Sequence, residues 1–98
     1  MSLRDDERAR TGEELKANFA LSGLTLAEVE ADLGCTPSRL RSTLDSSGDP
    51  VDVWELRDYL EQAVTDAGDH PIPFTILTES ARSKANGWFG LRTAPRHA

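Results

Sequence analysis

Residues 25–44 read TLAEVEADLGCTPSRLRSTL, and this stretch decides the fold. Thr25 and Glu28 make a capping box, in which the Thr hydroxyl accepts from the backbone three residues on and the Glu reaches back. Leu26, Val29 and Leu33 recur at helical spacing and share one face. Gly34 follows the last of them and ends the helix by taking positive φ at no steric cost. Thr36 is then an N-cap, and Pro37 suits the first position of a second helix because its missing N–H would go unpaired there anyway. Leu40 and Leu44 repeat at i, i+4. Two short helices joined by a tight turn are predicted.

The order apolar–x–x–x–Leu–Gly–apolar–Thr–x–x–x–Leu, carried by Val29, Leu33, Gly34, Cys35, Thr36 and Leu40, resembles the helix-turn-helix of small bacterial DNA-binding proteins. One position departs from that pattern. Glu30 stands where the motif has a small residue at the close crossing of the two helices, and Ala31 takes that place only if the first helix is rotated. With Leu40 and Leu44 facing inward at about 100° per residue, Ser38, Ser42 and Asp45 point outward, and Arg39 and Arg41 lie on opposite flanks. A reading helix puts its exposed face in the major groove. Ser38, Arg39, Arg41 and Ser42 are therefore the candidate DNA contacts, and Asp45 opposes them. The alternative is a solvated helix face with two surface arginines.

The remaining sequence fits around this pair. Thr11–Gly–Glu–Glu offers another capping box, so a firm helix is expected from Thr11, with Leu15 and Phe19 on its buried stripe and Gly23 after its end. Residues 1–10 are charged almost all round and read as an exposed helix or a mobile arm. Asp49 caps and Pro50 opens a long helix over 50–67, with Val53, Leu56, Leu60, Ala63 and Val64 as its stripe. Trp54 and Tyr59 lie off the stripe's centre. Residues 70–77, HPIPFTIL, alternate with period two, but Pro71 and Pro73 confine them to an edge strand or an extended strap. Asn86-Gly87 signals a turn. Trp88, Phe89 and Leu91 follow, either folded back on the core or buried against a second copy. Residues 93–98 read as a disordered tail. The expectation is one all-α domain of four to five helices over 1–98, with a lambda-repressor-like helix-turn-helix core and a strap at 70–92.

Composition narrows the function. The 98 residues carry net charge −6, against a general nucleic-acid binder. The charge is segregated: residues 49–69 hold seven carboxylates against Arg57 alone, whereas residues 70–98 hold Arg82, Lys84, Arg92 and Arg96 against Glu79. The mean hydropathy is −0.48, no run approaches the ~20 apolar residues of a membrane span, and MSLRDDERAR does not read as a signal peptide. With one cysteine, the expected location is cytoplasmic. No catalytic constellation, cofactor loop or zinc spacing is found, so neither an enzyme nor a metal or cofactor is expected. Asp52, Glu55 and Asp58, three apart, read as a solvated acidic face rather than a cation site. Cys35 reads as a small buried hydrophobe; resistance to a thiol reagent in native buffer would exclude a redox role.

Much of the chain resembles a bacterial family of unknown function, the one numbered 2316. The resemblance rests on RTGEELKANFALSGLT, ADLGCTPSRL, the Trp-x-x-Arg-x-Tyr-Leu of residues 54–60, PIPFTIL, and the Asn-Gly-Trp-Phe of residues 86–89. It implies a small cytoplasmic bacterial protein with a helix-turn-helix-like core, and it brings no activity and no catalytic residues.

Two functions are expected. The first is a transcriptional regulator that binds double-stranded DNA as a homodimer. Arg82 and Lys84, with Arg92 and Arg96, would add phosphate contacts, and Phe74, Trp88 and Phe89 would form the dimer contact. The second is an acidic protein-interaction module without DNA contact, its basic partner docking on helix 50–67. The basic tail discriminates between them. Lying beside Arg39 and Arg41 it extends a positive surface; lying against the acidic helix it cancels that helix's charge.

Overall fold

A computed structural model describes residues 4–95. They form five helices and, among the described residues, no strand: α1 (Asp5–Ser22), α2 (Leu26–Leu33), α3 (Pro37–Leu44), α4 (Pro50–Asp66) and α5 (Glu79–Phe89). The all-α expectation holds, and the α2–turn–α3 arrangement is compatible with a helix-turn-helix core. Thr25 and Glu28 close their capping box, Gly34 takes φ 66°, and the Thr36 hydroxyl accepts from the Arg39 N–H. At the crossing, Glu30 is half-buried and Ala31 exposed, so Ala31 does not supply the small residue there.

The core is built around α4. Leu56, Tyr59 and Leu60 meet Leu15 of α1, Val29 of α2, and Leu40 and Leu44 of α3, all buried. Trp54 and Tyr59, off the apolar stripe, are buried too. Leu15 is fully enclosed, while Phe19, expected as a core anchor, sits partly buried at the edge. Gly12 lets α1 close on the end of α3: a Cβ there would lie 3.2 Å from the Leu44 carbonyl oxygen and 3.3 Å from the Asp45 carbonyl carbon.

Two local expectations are corrected. The first helix starts at Asp5 rather than Thr11. Asp5, Asp6 and Glu7 suit the positive end of the helix dipole, and Glu7 accepts from the Arg4 backbone N–H at 3.1 Å. Thr11 is inside the helix, its hydroxyl donating to the Glu7 carbonyl at 2.9 Å. Of the arm read at 1–10, residues 5–10 are thus helical, and residues 1–3 lie outside the described residues. The Asn86-Gly87 turn is also displaced: α5 runs through it to Phe89, and Gly90 ends the helix at φ 64°. In the tail, the Pro95 carbonyl accepts from Gln62 at 2.8 Å, and residues 96–98 lie outside the described residues.

Residues 70–77 form the expected extended strap, with no strand among them. The strap is held by side chains of α1. Asn18 accepts from the Ile72 N–H at 2.8 Å and donates to the Ile72 carbonyl at 3.0 Å, supplying the two-bond pairing a neighbouring strand would give. Glu14 accepts from the Thr75 N–H and hydroxyl at 3.1 and 2.7 Å. Phe74 and Leu77 are buried while Ile72 stays exposed, so the chain folds back on its own core.

Candidate functional site

The α3 face presents the four residues expected to read DNA. Ser38, Arg39, Arg41 and Ser42 are all exposed. Arg39, however, is committed to α4. Its guanidinium donates twice to the Asp52 carboxylate, at 2.7 and 2.8 Å, the bidentate geometry that gives such pairs direction. Arg92 joins the same carboxylate and reaches Glu55 at 3.2 Å. Burial alone would raise the Asp52 pKa, but the hydrogen bonds from Arg39 and Arg92 hold it below the usual carboxylate range. Arg41 forms no ion pair among the described residues and is the one uncommitted cation on this face.

The basic tail also lies against α4. Arg82 donates twice to Asp58, at 2.9 and 2.6 Å, and twice to Glu79. It also stacks over the Trp54 ring, 5.1 Å from the centroid. These hydrogen bonds, from Asp58 first and Glu79 second, raise the Arg82 pKa. Arg57, 3% exposed, donates to the Leu77 carbonyl and to Asp58, and lies over the rings of Trp54 and Phe74. The carboxylates at 52, 55 and 58, read as a solvated face, are instead the inner layer of an ion-pair network. Lys84 differs from Arg82: it is exposed, with no ion pair among the described residues. Arg96 lies outside them.

The expected dimer residues divide three ways. Phe74 is 7% exposed and belongs to the chain's own core, so it offers no surface to a second copy. Phe89 is partly buried. Trp88 is 66% exposed. Cys35 is half-buried, and burial raises its pKa above the usual thiol value despite the opposing charge of Arg39.

Further carboxylates lie on α2 and at the end of α4. Helix α2 carries Glu28, Glu30 and Asp32 and no cation. Asp32 accepts from the Tyr59 hydroxyl, which ties α2 to the second half of α4. Burial, then the Asp32 hydrogen bond, raise the Tyr59 pKa. Asp66 and Asp69 stand exposed at the end of α4.

The polar groups that fix this arrangement were not singled out from the sequence. Thr11, Glu14, Asn18 and Ser22 are buried along α1 at helical spacing. A polar stripe beside Leu15 is the signal that something other than apolar packing covers that face.

A family model described as an uncharacterised protein conserved in bacteria, domain of unknown function 2316, matches residues 1–90. The chain belongs to this family. No curated protein and no solved structure matches the chain. Membership covers the whole arrangement from α1 through α5 and assigns it no activity.

Proposed function

We propose that this member of the family is a protein-interaction domain that keeps a helix–turn–helix arrangement without gripping DNA through α3. The observation that carries this reading is the commitment of Arg39, Arg92 and Arg82 to carboxylates of Asp52, Glu55 and Asp58. In helix-turn-helix docking the first helix crosses the phosphate backbone, and here α2 would bring three carboxylates to it. The same pairing moves the partner surface. The middle of α4 is buried and neutralised, so the surface offered to a basic protein segment is Glu28 and Glu30 of α2 with Asp69 beyond the end of α4.

The test is fluorescence anisotropy at low and moderate salt with two labelled probes, a DNA duplex and an Arg/Lys-rich peptide. The peptide should bind and the duplex should not. The double variant Glu28→Gln, Glu30→Gln should weaken peptide binding, because Gln preserves the capping box while removing two charges. Tight, steeply salt-dependent duplex binding would overturn the reading.

One observation favours a second reading, the homodimeric DNA-binding regulator. Ser38, Arg41 and Ser42 are exposed on one helix, and Arg41 is unpaired among the described residues. With Trp88 as the contact between copies, a dimer presents two such helices. At ~0.9 per phosphate, one Arg41 per chain gives a log–log salt slope of only about −2 for the dimer. Loss of duplex binding in Arg39→Ala, Arg41→Ala would support it.

A further inference from the structure

The α3–α4 loop and α5 enclose a cavity of about 320 Å³, within the size range of small-ligand sites. Its walls are mostly apolar, with Trp54, Leu77, Trp88 and Phe89 supplying the larger surfaces. Arg8 and Ser47 also line it, Arg8 pairing with Asp5 at 3.7 Å, and two further polar groups interrupt the apolar walls. The first is Ser46, 5% exposed and a cavity-lining residue, whose hydroxyl is the buried side-chain oxygen or nitrogen with no hydrogen-bond partner among the described residues. Leaving a buried hydroxyl unpaired costs about 1–3 kcal/mol. Ser46 is also the non-glycine residue with positive φ, 59°, a left-handed conformation that this side chain adopts at some cost. The second is Lys84, which lines the cavity from α5 and has no carboxylate partner among the described residues.

We propose that this cavity binds a small, mostly apolar monoanion, an aromatic or medium-chain carboxylate. Its hydrocarbon body packs on the two tryptophans and Phe89, its charge faces Lys84, and a polar atom accepts the orphaned Ser46 hydroxyl. Apolar walls with a few placed polar groups are the general pattern of small-molecule sites; of the two cations in the wall, Arg8 is paired with Asp5, so Lys84 is the one that favours a single negative charge over a neutral ligand. Because the loop bearing Ser46 leads out of α3, an occupant would join the end of that helix to α5. The proposal is independent of which macromolecule the chain recognises.

The experiment is a titration of the full chain, followed by amide and indole NMR and by calorimetry. The probes are benzoate, a hydroxynaphthoate and decanoate, each compared with its methyl ester. At least one acid should bind saturably at one per chain and shift the resonances of Gly48, Ala81, Ala85 and the Trp88 indole. Lys84→Gln should weaken it about tenfold, as expected for one hydrogen bond to a charged group, with unchanged melting temperature, and Ser46→Ala about threefold, with a melting temperature of the free protein no lower than the parent's. Arg10→Gln, an exposed cation that does not line the cavity, should leave affinity unchanged. Should Ser46→Ala fail to fold, Ser46→Gly removes the hydroxyl while accepting the left-handed backbone. No saturable shift with any acid at millimolar concentration would overturn the proposal, as would esters binding as well as acids. Cavity resonances that move only with protein concentration would overturn it too, by giving the cavity to Trp88 of a second copy.

Discussion

Asp52→Asn is the perturbation that most directly tests whether the pairing of Arg39 keeps α3 from DNA. The carboxylate holds Arg39 through two bonds, at 2.7 and 2.8 Å, and takes a third from Arg92. Asparagine keeps one acceptor and much of the shape but loses the charge that fixes both guanidinium groups. Arg39 has no other carboxylate partner, whereas Arg92 retains Glu55 at 3.2 Å. The single variant therefore releases one cation fully, and adding Glu55→Gln releases the second. Each phosphate neutralised contributes about 0.9 to the log–log salt slope. The slope for duplex DNA should steepen by about 0.9 per chain in Asp52→Asn and about 1.8 in the double variant. Over a fourfold rise in salt, the double variant should lose about twelvefold in affinity beyond any loss in the parent protein. The assay is anisotropy on a fluorescent duplex from about 50 to 200 mM salt, with circular dichroism to show that both variants stay folded. Folded variants with unchanged DNA affinity and slope would refute the argument, because sequestration of Arg39 and Arg92 would not be what limits binding.

The remaining predictions concern stability. Asn18→Ala removes both bonds to Ile72 and one to the Glu14 carbonyl, and leaves backbone groups of the strap unpaired. A loss of about 2–3 kcal/mol is expected, which lowers the melting temperature by roughly 8–20 °C in a domain of this size; a shift under about 4 °C would contradict the stapling role. Gly12→Val should cost about 2 kcal/mol or more through overpacking against the Leu44 and Asp45 backbone, read as a lower urea midpoint. Two pH limbs follow from the shifted groups. The Asp52 pKa is depressed by Arg39 and Arg92 against the pull of burial. The folded state therefore binds its proton less readily than the unfolded chain. That stability is present above the unfolded carboxylate pKa of about 3.9 and is lost as pH falls through the folded value, so Asp52→Asn should flatten the acid limb of a melting-temperature profile. The Tyr59 pKa is raised, so its contribution is full below about pH 10 and fades above it; Tyr59→Phe should remove that alkaline limb.

The fold was legible where the signals are local. Thr25 with Glu28, Gly34, Thr36 with Pro37, and Asp49 with Pro50 set helix ends within one turn of themselves, and the structure places α2, α3 and α4 accordingly. The misreadings share one physical cause: a local signal was overridden by a distant contact or by a competing local one. The capping box at Thr11 was outcompeted because Asp5, Asp6 and Glu7 start the helix earlier and α1 is needed against α4 and the strap. Asn86-Gly87 failed as a turn because helix propensity around it suffices and Gly90 provides the left-handed stop. At 70–77, Pro71 and Pro73 made the extended strap legible, but not what holds it. Its pairing partner is the side chain of Asn18, 54 residues earlier, and no rule of periodicity reaches that far.

The charge arrangement was half legible for the same reason. Segregation into an acidic stretch at 49–69 and a basic tail is visible in composition, and it raised the question of where the tail would lie. The answer depends on contacts spanning 24 residues from Arg82 to Asp58 and 40 from Arg92 to Asp52, which only the folded chain specifies. Pairing them has a consequence beyond the tail. Asp52 is the first-turn acid of α4 and also the anchor of Arg39 on α3, so the residue that completes the long helix neutralises the reading helix. A chain selected for DNA contact through α3 gains nothing from placing a buried carboxylate under its principal arginine. A chain that used the same three-helix packing to display α2 would gain a rigid platform, with Arg39, Arg82 and Arg92 held against α4.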